Sequence, residues 1–344
     1  MAAIGPDINK LIECFPRIIL RDEATPLEPA NRLSKHLGGP QIWLKRDDYP
    51  GPPLGGNKLR KLEFFLGEAV AIGADSVITC GAVHSNHILA TAAACRRLGL
   101  SCHAVLLGER PSSVEGNFFL DRLLGLNYQF LTSCLDEISP EDLAEALNQF
   151  EANLRSEGQK TYRIPPGGTG LPGDLGYALA FGEIVMQSRS LGIEMDHLIA
   201  PVGSQGTFCG LLLGRKIMRA QTDLIGIATS PADTCRRAGL PNITEMYQAA
   251  AAYVGLDASF SPGDFKVFYD YVGSGYGQIS PEGLEAIKLL ARKEGVLLDP
   301  IYSGKVMAGL IDLIRTGLFS KKDNVVFIHT GALGGLLSHA LYIP

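Results

Sequence analysis

A lysine follows two glycines and an asparagine in the segment Gly55-Gly56-Asn57-Lys58. The apolar residues after it recur at helical spacing, which predicts a helix with Asn57 as N-cap and Lys58 in the first turn. A cation is unfavourable at that end of a helix, because the helix dipole is positive there. The same field, together with burial, lowers the pKa of a lysine. Since a neutral amine forms Schiff bases, Lys58 is a candidate nucleophile.

A second lysine, Lys61, lies three residues further along and on the same face of the predicted helix as Lys58. Most lysines only keep a protein surface hydrated, and for either residue alone that interpretation is the more frequent one. The pairing of the two lysines and their glycine-rich entry favour a site, which needs a cofactor-binding loop elsewhere in the chain.

A candidate for that loop is Gly203-Ser204-Gln205-Gly206-Thr207, which lies between a predicted strand and a predicted helix. Glycines allow backbone N–H groups to converge, and the helix N-terminus adds a positive field, so a phosphate or another anion fits. The loop matches neither the Walker pattern nor the dinucleotide pattern Gly-x-Gly-x-x-Gly. A tight turn without a ligand is the alternative interpretation.

Three polar residues, Ser85, Asn86 and His87, follow another predicted strand. Their side chains can cap the next helix, or they can hold the oxygen atoms of a ligand. Ser85 has no Gly-x-Ser-x-Gly elbow around it, which disfavours a hydrolase triad. His84 and His87 have no acidic or cysteine partner nearby in the sequence, which disfavours a zinc site.

Two tyrosines stand at loop positions after strands. Tyr276 is enclosed by glycines, and Tyr302 lies where a predicted strand passes into a helix. Tyrosines are most often amphipathic residues of the core or its rim. Their loop positions make them candidates for a binding site, and the sequence leaves both interpretations open.

Short apolar segments alternate with helical periodicities along the chain. This pattern predicts helices after residue 57 and at 86–98, 117–124, 140–157, 174–191, 206–219, 281–294 and 304–315. It predicts strands at 41–48, 76–80, 102–107, 128–131, 162–164, 197–202, 224–229, 265–272, 296–299 and 325–329. Such alternation is typical of parallel sheets, here one in each of two α/β lobes, with ligands beyond the carboxyl ends of the strands.

The composition is that of an ordinary globular protein, with 46% hydrophobic and 19% charged residues. The net charge of −5 and the lack of basic blocks argue against a nucleic-acid or membrane partner. The seven cysteines contain no Cys-x-x-Cys pair, as expected in a reducing compartment. No signal peptide or membrane-spanning run is evident, so we expect a cytoplasmic protein.

Taken together, the motifs resemble the family of pyridoxal-phosphate enzymes that contains aminocyclopropanecarboxylate deaminase and D-cysteine desulfhydrase. The resemblance covers nearly the whole chain, and its most specific segments are 55–63, 85–87 and 298–305. It implies an α/β protein with two open parallel-sheet lobes, the fold type II of tryptophan synthase β. It further implies a large cofactor-binding domain of residues 1–60 and 167–344, a small α/β domain of residues 61–166, and a homodimer.

The resemblance also implies a role for each candidate residue toward pyridoxal 5′-phosphate and a small amino-acid substrate. Lys58 would carry the cofactor as a Schiff base and move protons. The phosphate would be bound by Lys61 and the loop Gly203 to Thr207, the ring nitrogen would be contacted by Ser303 and Thr330, and the phenolic oxygen by Asn86. The substrate would be contacted by Ser85, Asn86, His87, Tyr276 and Tyr302. Of these, Ser85 and the two tyrosines would take part in catalysis.

Ser303 directly follows Tyr302. The resemblance to the deaminases of the family implies a glutamate at this position. A carboxylate would keep the ring nitrogen protonated, whereas a hydroxyl favours a neutral nitrogen and a weaker electron sink. A weaker sink suits β-elimination, so the predicted reaction is that of a D-cysteine desulfhydrase. A cyclopropane deaminase, an L-cysteate sulfo-lyase and a non-catalytic amino-acid-binding protein are the alternatives. His84 and the tail Thr330-Gly-Ala-Leu-Gly-Gly depart from the family pattern.

Overall fold

The computed structural model describes residues 8–21, 24–49, 55–132, 138–259, 263–331 and 333–337. Residues 50–54, which belong to the loop expected before the Lys58 helix, lie outside these ranges, as does Cys134. Two β-sheets form the framework, and helices cover both. The strands are β1 (Leu27–Pro29), β2 (Gln41–Arg46), β3 (Ser76–Ala82), β4 (Ser101–Leu107), β5 (Asn127–Leu131), β6 (Thr161–Arg163), β7 (His197–Val202), β8 (Asp223–Ala228), β9 (Lys266–Phe268) and β10 (Asn324–His329).

The larger sheet has the order β1-β2-β10-β7-β8-β9, and the smaller sheet has the order β5-β4-β3-β6. Every strand pair is parallel except β1 with β2. Parallel pairing requires crossover connections, which the helices supply. The predicted fold class, two parallel sheets with helical connections, is confirmed.

The helices are α1 (Ile8–Ile12), α2 (Asn31–Leu37), α3 (Asn57–Ala71), α4 (Asn86–Leu98), α5 (Gly116–Leu123), α6 (Pro140–Ser156), α7 (Leu175–Leu191), α8 (Gly206–Met218), α9 (Thr234–Arg237), α10 (Ile243–Tyr253), α11 (Pro281–Glu294), α12 (Ser303–Arg315) and α13 (Leu333–Leu337). A short 3-10 turn spans Pro166–Gly168. Helices α7 and α8 pack on one face of the larger sheet, and α11 and α12 on the other. None of the described helices is long and apolar enough to cross a bilayer.

The start of α3 differs from the prediction. Gly56, not Asn57, is the N-cap, and Asn57 is the first helical residue. Gly56 has a φ of 101° and packs against the backbone of Thr330, where a Cβ would lie 2.8 Å from the Thr330 carbonyl oxygen. Only glycine tolerates both conditions. The Asn57 side chain instead donates to Thr207 Oγ1 at 3.0 Å.

The predicted strand at 296–299 is also wrong. These residues have no strand pairing, although Val296 and Leu298 are buried. Their alternating pattern arises because they pack on the core beside α11 and α12, not because they belong to a sheet. The sequence pattern also missed the short edge strand β1 and the helices α1, α2, α9, α10 and α13.

A buried ionic network connects α3 with β2 and α7. The guanidinium of Arg60 donates to Asp47 Oδ1 at 2.7 Å and to Glu183 Oε1 at 2.9 Å, and only 1% of Arg60 is exposed. Lys45 also pairs with Glu183, and the Tyr177 hydroxyl donates to Asp47 at 2.5 Å. Burial opposes ionisation of Glu183, but Arg60 outweighs it and lowers the pKa of that carboxyl to about 2.

We expect Arg60→Met to lower the free energy of unfolding by about 3–5 kcal/mol, because two carboxylates would lose their main buried partner. Urea denaturation at neutral pH measures this change. The matched control is Arg155→Met, which removes a 65% exposed arginine paired with Glu151 and should change stability by less than about 1 kcal/mol. Equal stability of the two variants would show that the network adds nothing net to folding.

Candidate active site

Loops that follow strands of both sheets meet around one cavity of about 930 Å³, a volume that includes its open mouth. Most of the candidate residues line it: Lys58, Ser85, Asn86, His87, Gly203, Ser204, Gln205, Thr207, Tyr276, Tyr302 and Thr330. The other three candidates, Lys61, Gly206 and Ser303, are not part of its lining. The fold therefore brings together segments that lie more than 200 residues apart in sequence.

Lys58 enters this cavity from the first turn of α3, and its Nζ donates to the Gly167 carbonyl at 3.0 Å. Burial lowers the pKa of Lys58 well below 10.5, and the nearby charge of Lys61 lowers it further, while Asp174 opposes the shift. The free amine is therefore accessible nearer to neutral pH than it is for a surface lysine. This is the protonation state that Schiff-base chemistry requires.

Lys61 lies one turn further along α3, wholly buried beneath the start of α8. Its Nζ has no hydrogen-bond partner among the described residues. Gly206 is the first residue of α8, and a Cβ there would lie 2.9 Å from Lys61 Nζ. Burial lowers the pKa of Lys61, while Asp174 opposes that shift. An anion such as a phosphate beside this amine and the helix N-terminus would favour the charged form of Lys61.

The loop before α8 has an unusual backbone. Gln205 adopts a φ of 69°, in the left-handed region that non-glycine residues seldom occupy. The Ser204 hydroxyl accepts a hydrogen bond from Thr169 at 2.6 Å, and Thr207 accepts one from Asn57 at 3.0 Å. These bonds hold the loop against α3 and against the segment that follows β6.

At the start of α4, Ser85 and Asn86 have distinct local partners. Ser85 Oγ accepts hydrogen bonds from the backbone of His87 at 3.2 Å and Ile88 at 3.4 Å, so Ser85 is a true N-cap. Asn117 donates to the amide oxygen of Asn86 at 2.8 Å. With its oxygen engaged in this way, Asn86 is oriented to donate through its amide nitrogen.

His87 is buried, and its ring nitrogens can be assigned from their neighbours. Thr79 donates its hydroxyl proton to the Ile164 carbonyl at 2.9 Å, so the 2.8 Å contact between Thr79 Oγ1 and His87 Nε2 requires a proton on Nε2. Burial lowers the pKa of His87 well below 6.5, and Lys58 and Lys61 add to the shift. His87 is thus neutral.

The hydroxyl oxygens of Tyr276 and Tyr302 lie 2.5 Å apart in the cavity wall. Burial raises the pKa of Tyr302 well above 10, and Tyr276 adds to that shift. Tyr302 therefore keeps its proton. A hydrogen bond joins the two phenols, and either oxygen can be its donor.

Ser303 and Thr330 differ in what their hydroxyls contact. Ser303 Oγ donates to Asp299 Oδ1 at 2.6 Å and accepts from the Asp299 backbone at 2.8 Å, so it is engaged inside the protein. Asp299 also accepts from the backbone of the turn before α12. Thr330, at the end of β10, lines the cavity. The role expected for Ser303 at a ring nitrogen stays a prediction.

Sequence reasoning missed several residues of the site. Asp174 is buried in the segment after the Pro166–Gly168 turn, and a Cβ at Gly206 would lie 2.4 Å from its Oδ1. Asn117 orients Asn86, and Cys235 lines the cavity. The sequence gives no signal for Asp174, because an aspartate directly before a helix is usually an N-cap. In the structure its side chain caps no backbone N–H of α7.

A family model described as pyridoxal-phosphate dependent enzyme matches residues 18–331. The chain belongs to this family of enzymes. A putative 1-aminocyclopropane-1-carboxylate deaminase of Pyrococcus abyssi (strain GE5 / Orsay) is 39% identical over 334 residues, 97% of both chains. A D-cysteine desulfhydrase of Klebsiella pneumoniae (strain 342) is 39% identical over 94% of this chain and 96% of its own.

Solved structures agree with the family assignment. The crystal structure of an ACC deaminase homologue superposes with a TM-score of 0.87 at 35% identity and covers 99% of both chains. Threonine deaminase isoform 2 from Solanum lycopersicum, at 20% identity and a TM-score of 0.66, shares the fold. The cofactor of the family is pyridoxal 5′-phosphate, as the sequence predicted. The unpartnered Lys61 Nζ and the glycine at position 206 fit its phosphate.

We expect Lys61→Met to raise the pKa of Lys58, because a neighbouring like charge disappears. Lys58 is unreactive when protonated, so the variant should need a higher pH than the wild type to react. The measurement is the pH dependence of adduct formation between cofactor-free protein and pyridoxal, followed by absorbance. Pyridoxal has no phosphate and therefore does not depend on Lys61 for binding.

Two controls accompany this experiment. Lys58→Ala supplies the background from surface lysines, and Lys35→Met removes an exposed cation on α2 that is not part of the cavity lining. The Lys35 variant should titrate like the wild type. If Lys61→Met also titrates like the wild type, the charge of Lys61 does not influence Lys58.

Proposed function

We propose that this protein is a pyridoxal-phosphate-dependent lyase that converts D-cysteine and one water into pyruvate, hydrogen sulfide and ammonia. The observation that carries this proposal is the chemistry of the cavity. Its described lining residues supply an amine, amides, hydroxyls and an imidazole, and none of them is a carboxylate. A β-elimination suits such a site better than a reaction that needs a strongly stabilised carbanion.

The proposed cofactor contacts follow from the positions of the side chains. Lys58 would bond covalently to the cofactor, and Lys61 with the loop from Gly203 to Thr207 would hold its phosphate. Asn86 would donate to its phenolic oxygen. Thr330 would contact the ring nitrogen, since its hydroxyl lines the cavity whereas that of Ser303 is engaged by Asp299.

When bound, the cofactor withdraws electrons from the α-carbon of the substrate. The protein must then move one proton away from that carbon. Lys58 is suited to accept it, because burial and the charge of Lys61 favour its neutral form. Ser85 lies at the positive end of α4, where it and the backbone there suit the substrate carboxylate.

Tyr276 and Tyr302 are proposed to act on the leaving group. Both hydroxyls lie in the cavity wall, where a hydrogen bond joins them. A hydrogen bond to the substrate sulfur would stabilise the departing thiolate. His87 is neutral, with its protonated Nε2 bound to Thr79, and is proposed to shape the pocket beside the substrate.

A cyclopropane deaminase is the second candidate, because relatives with that name are as similar to this chain as the desulfhydrases are. The identities therefore do not separate the two activities. The separation rests on the partner of the ring nitrogen: a hydroxyl favours elimination, whereas a carboxylate would favour ring opening.

Other features of the protein remain proposals from the sequence. We propose a homodimer in the cytoplasm, with a small amino acid as substrate. We also propose a small domain of residues 61–166 inserted into a large domain of residues 1–60 and 167–344. The strands of the smaller sheet, β3 to β6, all fall within the proposed small domain.

We expect purified, cofactor-loaded protein to release pyruvate and sulfide from D-cysteine, and Lys58→Ala to lose at least about a thousandfold in rate. The assay couples pyruvate to a dehydrogenase and measures sulfide separately. Lys35→Met, a lysine variant on the surface, should retain full activity. Release of 2-oxobutyrate from 1-aminocyclopropane-1-carboxylate, with no pyruvate from D-cysteine, would replace the first candidate by the second.

A pair of substitutions tests which hydroxyl contacts the ring nitrogen. Thr330→Val should shift the absorbance of the bound cofactor and lower kcat/KM by about tenfold. Ser303→Ala should leave the absorbance unchanged but destabilise the fold by about 1–3 kcal/mol, because buried Asp299 loses a donor. Absorbance spectra and urea unfolding of both variants show which of the two hydroxyls contacts the ring nitrogen. A spectral shift in the Ser303 variant alone would reverse the assignment.

A further inference from the structure

Two buried ionisable side chains, Asp174 and Lys61, approach the start of α8 beneath the proposed phosphate loop. A Cβ at Gly206 would lie 2.4 Å from Asp174 Oδ1 and 2.9 Å from Lys61 Nζ, so both groups border the space that a side chain at this position would occupy. Only 1% of Asp174 and 0% of Lys61 is exposed. Because these two buried side chains leave no room for a Cβ, the first position of α8 requires glycine.

Both charged groups are incompletely satisfied. Lys61 Nζ and Asp174 Oδ2 have no hydrogen-bond partner among the described residues. Asp174 Oδ1 accepts from the Gly170 backbone at 3.1 Å, and the Cys209 thiol donates to the same carboxyl. Buried polar atoms are seldom left unpaired, so the pair has capacity for one more ligand or one more proton.

The titratable groups around Asp174 come from several elements. They are Lys58 and Lys61 on α3 and Cys209 on α8, while Cys235 on α9 and neutral His87 on α4 face the two lysines. Burial raises the pKa of Asp174 to about 6, although Lys61 opposes the shift. At neutral pH the carboxyl is ionised by a narrow margin. A phosphate dianion placed beside it would raise that pKa further.

We propose that Asp174 is the exchangeable counter-ion of Lys61: it is ionised in the cofactor-free protein and takes up one proton from solvent when the cofactor phosphate replaces it beside the ammonium. The proposal rests on the phosphate position given under the proposed function. Asp174 acts here as a positioning residue, since it sets the charge that the phosphate meets. Without the exchange, two anions would compete for one buried cation.

This exchange couples cofactor binding to pH in a definite direction. Because the bound state holds one more proton, affinity should fall as pH rises above about 6, by up to about tenfold per pH unit. The dependence should level off above the pKa that Asp174 has in the bound state. Asp174→Asn cannot take up this proton.

The test uses the cofactor-free full-length protein and pyridoxine 5′-phosphate, which has the phosphate but no aldehyde to react with Lys58. Difference infrared spectra at pH 7.5, above the pKa of about 6 that Asp174 has in the cofactor-free protein, are recorded with and without this probe. We expect the carbonyl band of a protonated carboxylic acid to appear on binding in the wild type and to be missing in Asp174→Asn.

The matched control is Asp121→Asn. Asp121 is another buried carboxyl without a hydrogen-bond partner in the described part of the chain, and burial raises its pKa to about 8. It lies on α5 and is not part of the cavity lining. Its variant should show the same binding-induced band as the wild type. Calorimetry in two buffers of different ionisation enthalpy counts the protons taken up.

Each outcome bears on one claim only. A wild type that binds the probe without a carboxylic-acid band overturns the role of Asp174, even if the Asp174 variant does not fold. A band that persists in Asp174→Asn overturns it as well. If the probe does not bind, or if Lys61→Met binds it as tightly as the wild type, then the proposed phosphate position is wrong instead.

Discussion

The burial of Arg60 is the constraint on which the rest of the site depends. Successive residues of an α-helix turn by about 100°, so Arg60 points away from Lys58, and Lys61 returns to the side of Lys58. The guanidinium is fixed inside the protein by Asp47 and Glu183, which belong to segments after β2 and within α7. Anchoring one face of α3 in this way directs its two lysines to the opposite side.

The opposite side is organised by a shortage of negative charge. Lys61 lies close enough to Lys58 to lower its affinity for protons, burial lowers that of both lysines, and Asp174 opposes both shifts. A site with this balance favours an anionic ligand and keeps one amine neutral. The same arrangement thus serves two needs of a pyridoxal-phosphate enzyme, a cation for the phosphate and a nucleophilic lysine.

Close backbone contacts complete the site. A Cβ at Gly331 would lie 2.8 Å from the Gly56 Cα, so the end of β10 lies directly against the entry to α3. Gly206 admits Asp174 and Lys61 at the start of α8. These glycines are far apart in sequence, yet each lets a segment that carries site residues approach another without a side chain between them.

The sequence by itself determined the alternation of strands and helices, the family, the cofactor and half of the residues that line the cavity. Hydrophobic periodicity and glycine-rich turns are local properties, and local properties are visible in a sequence. Only the tertiary structure decided that Gly56 caps α3, that 296–299 forms no strand, that Ser303 bonds to Asp299, and that Asp174 faces Lys61. These facts depend on distances between segments remote in the chain, which no local pattern encodes.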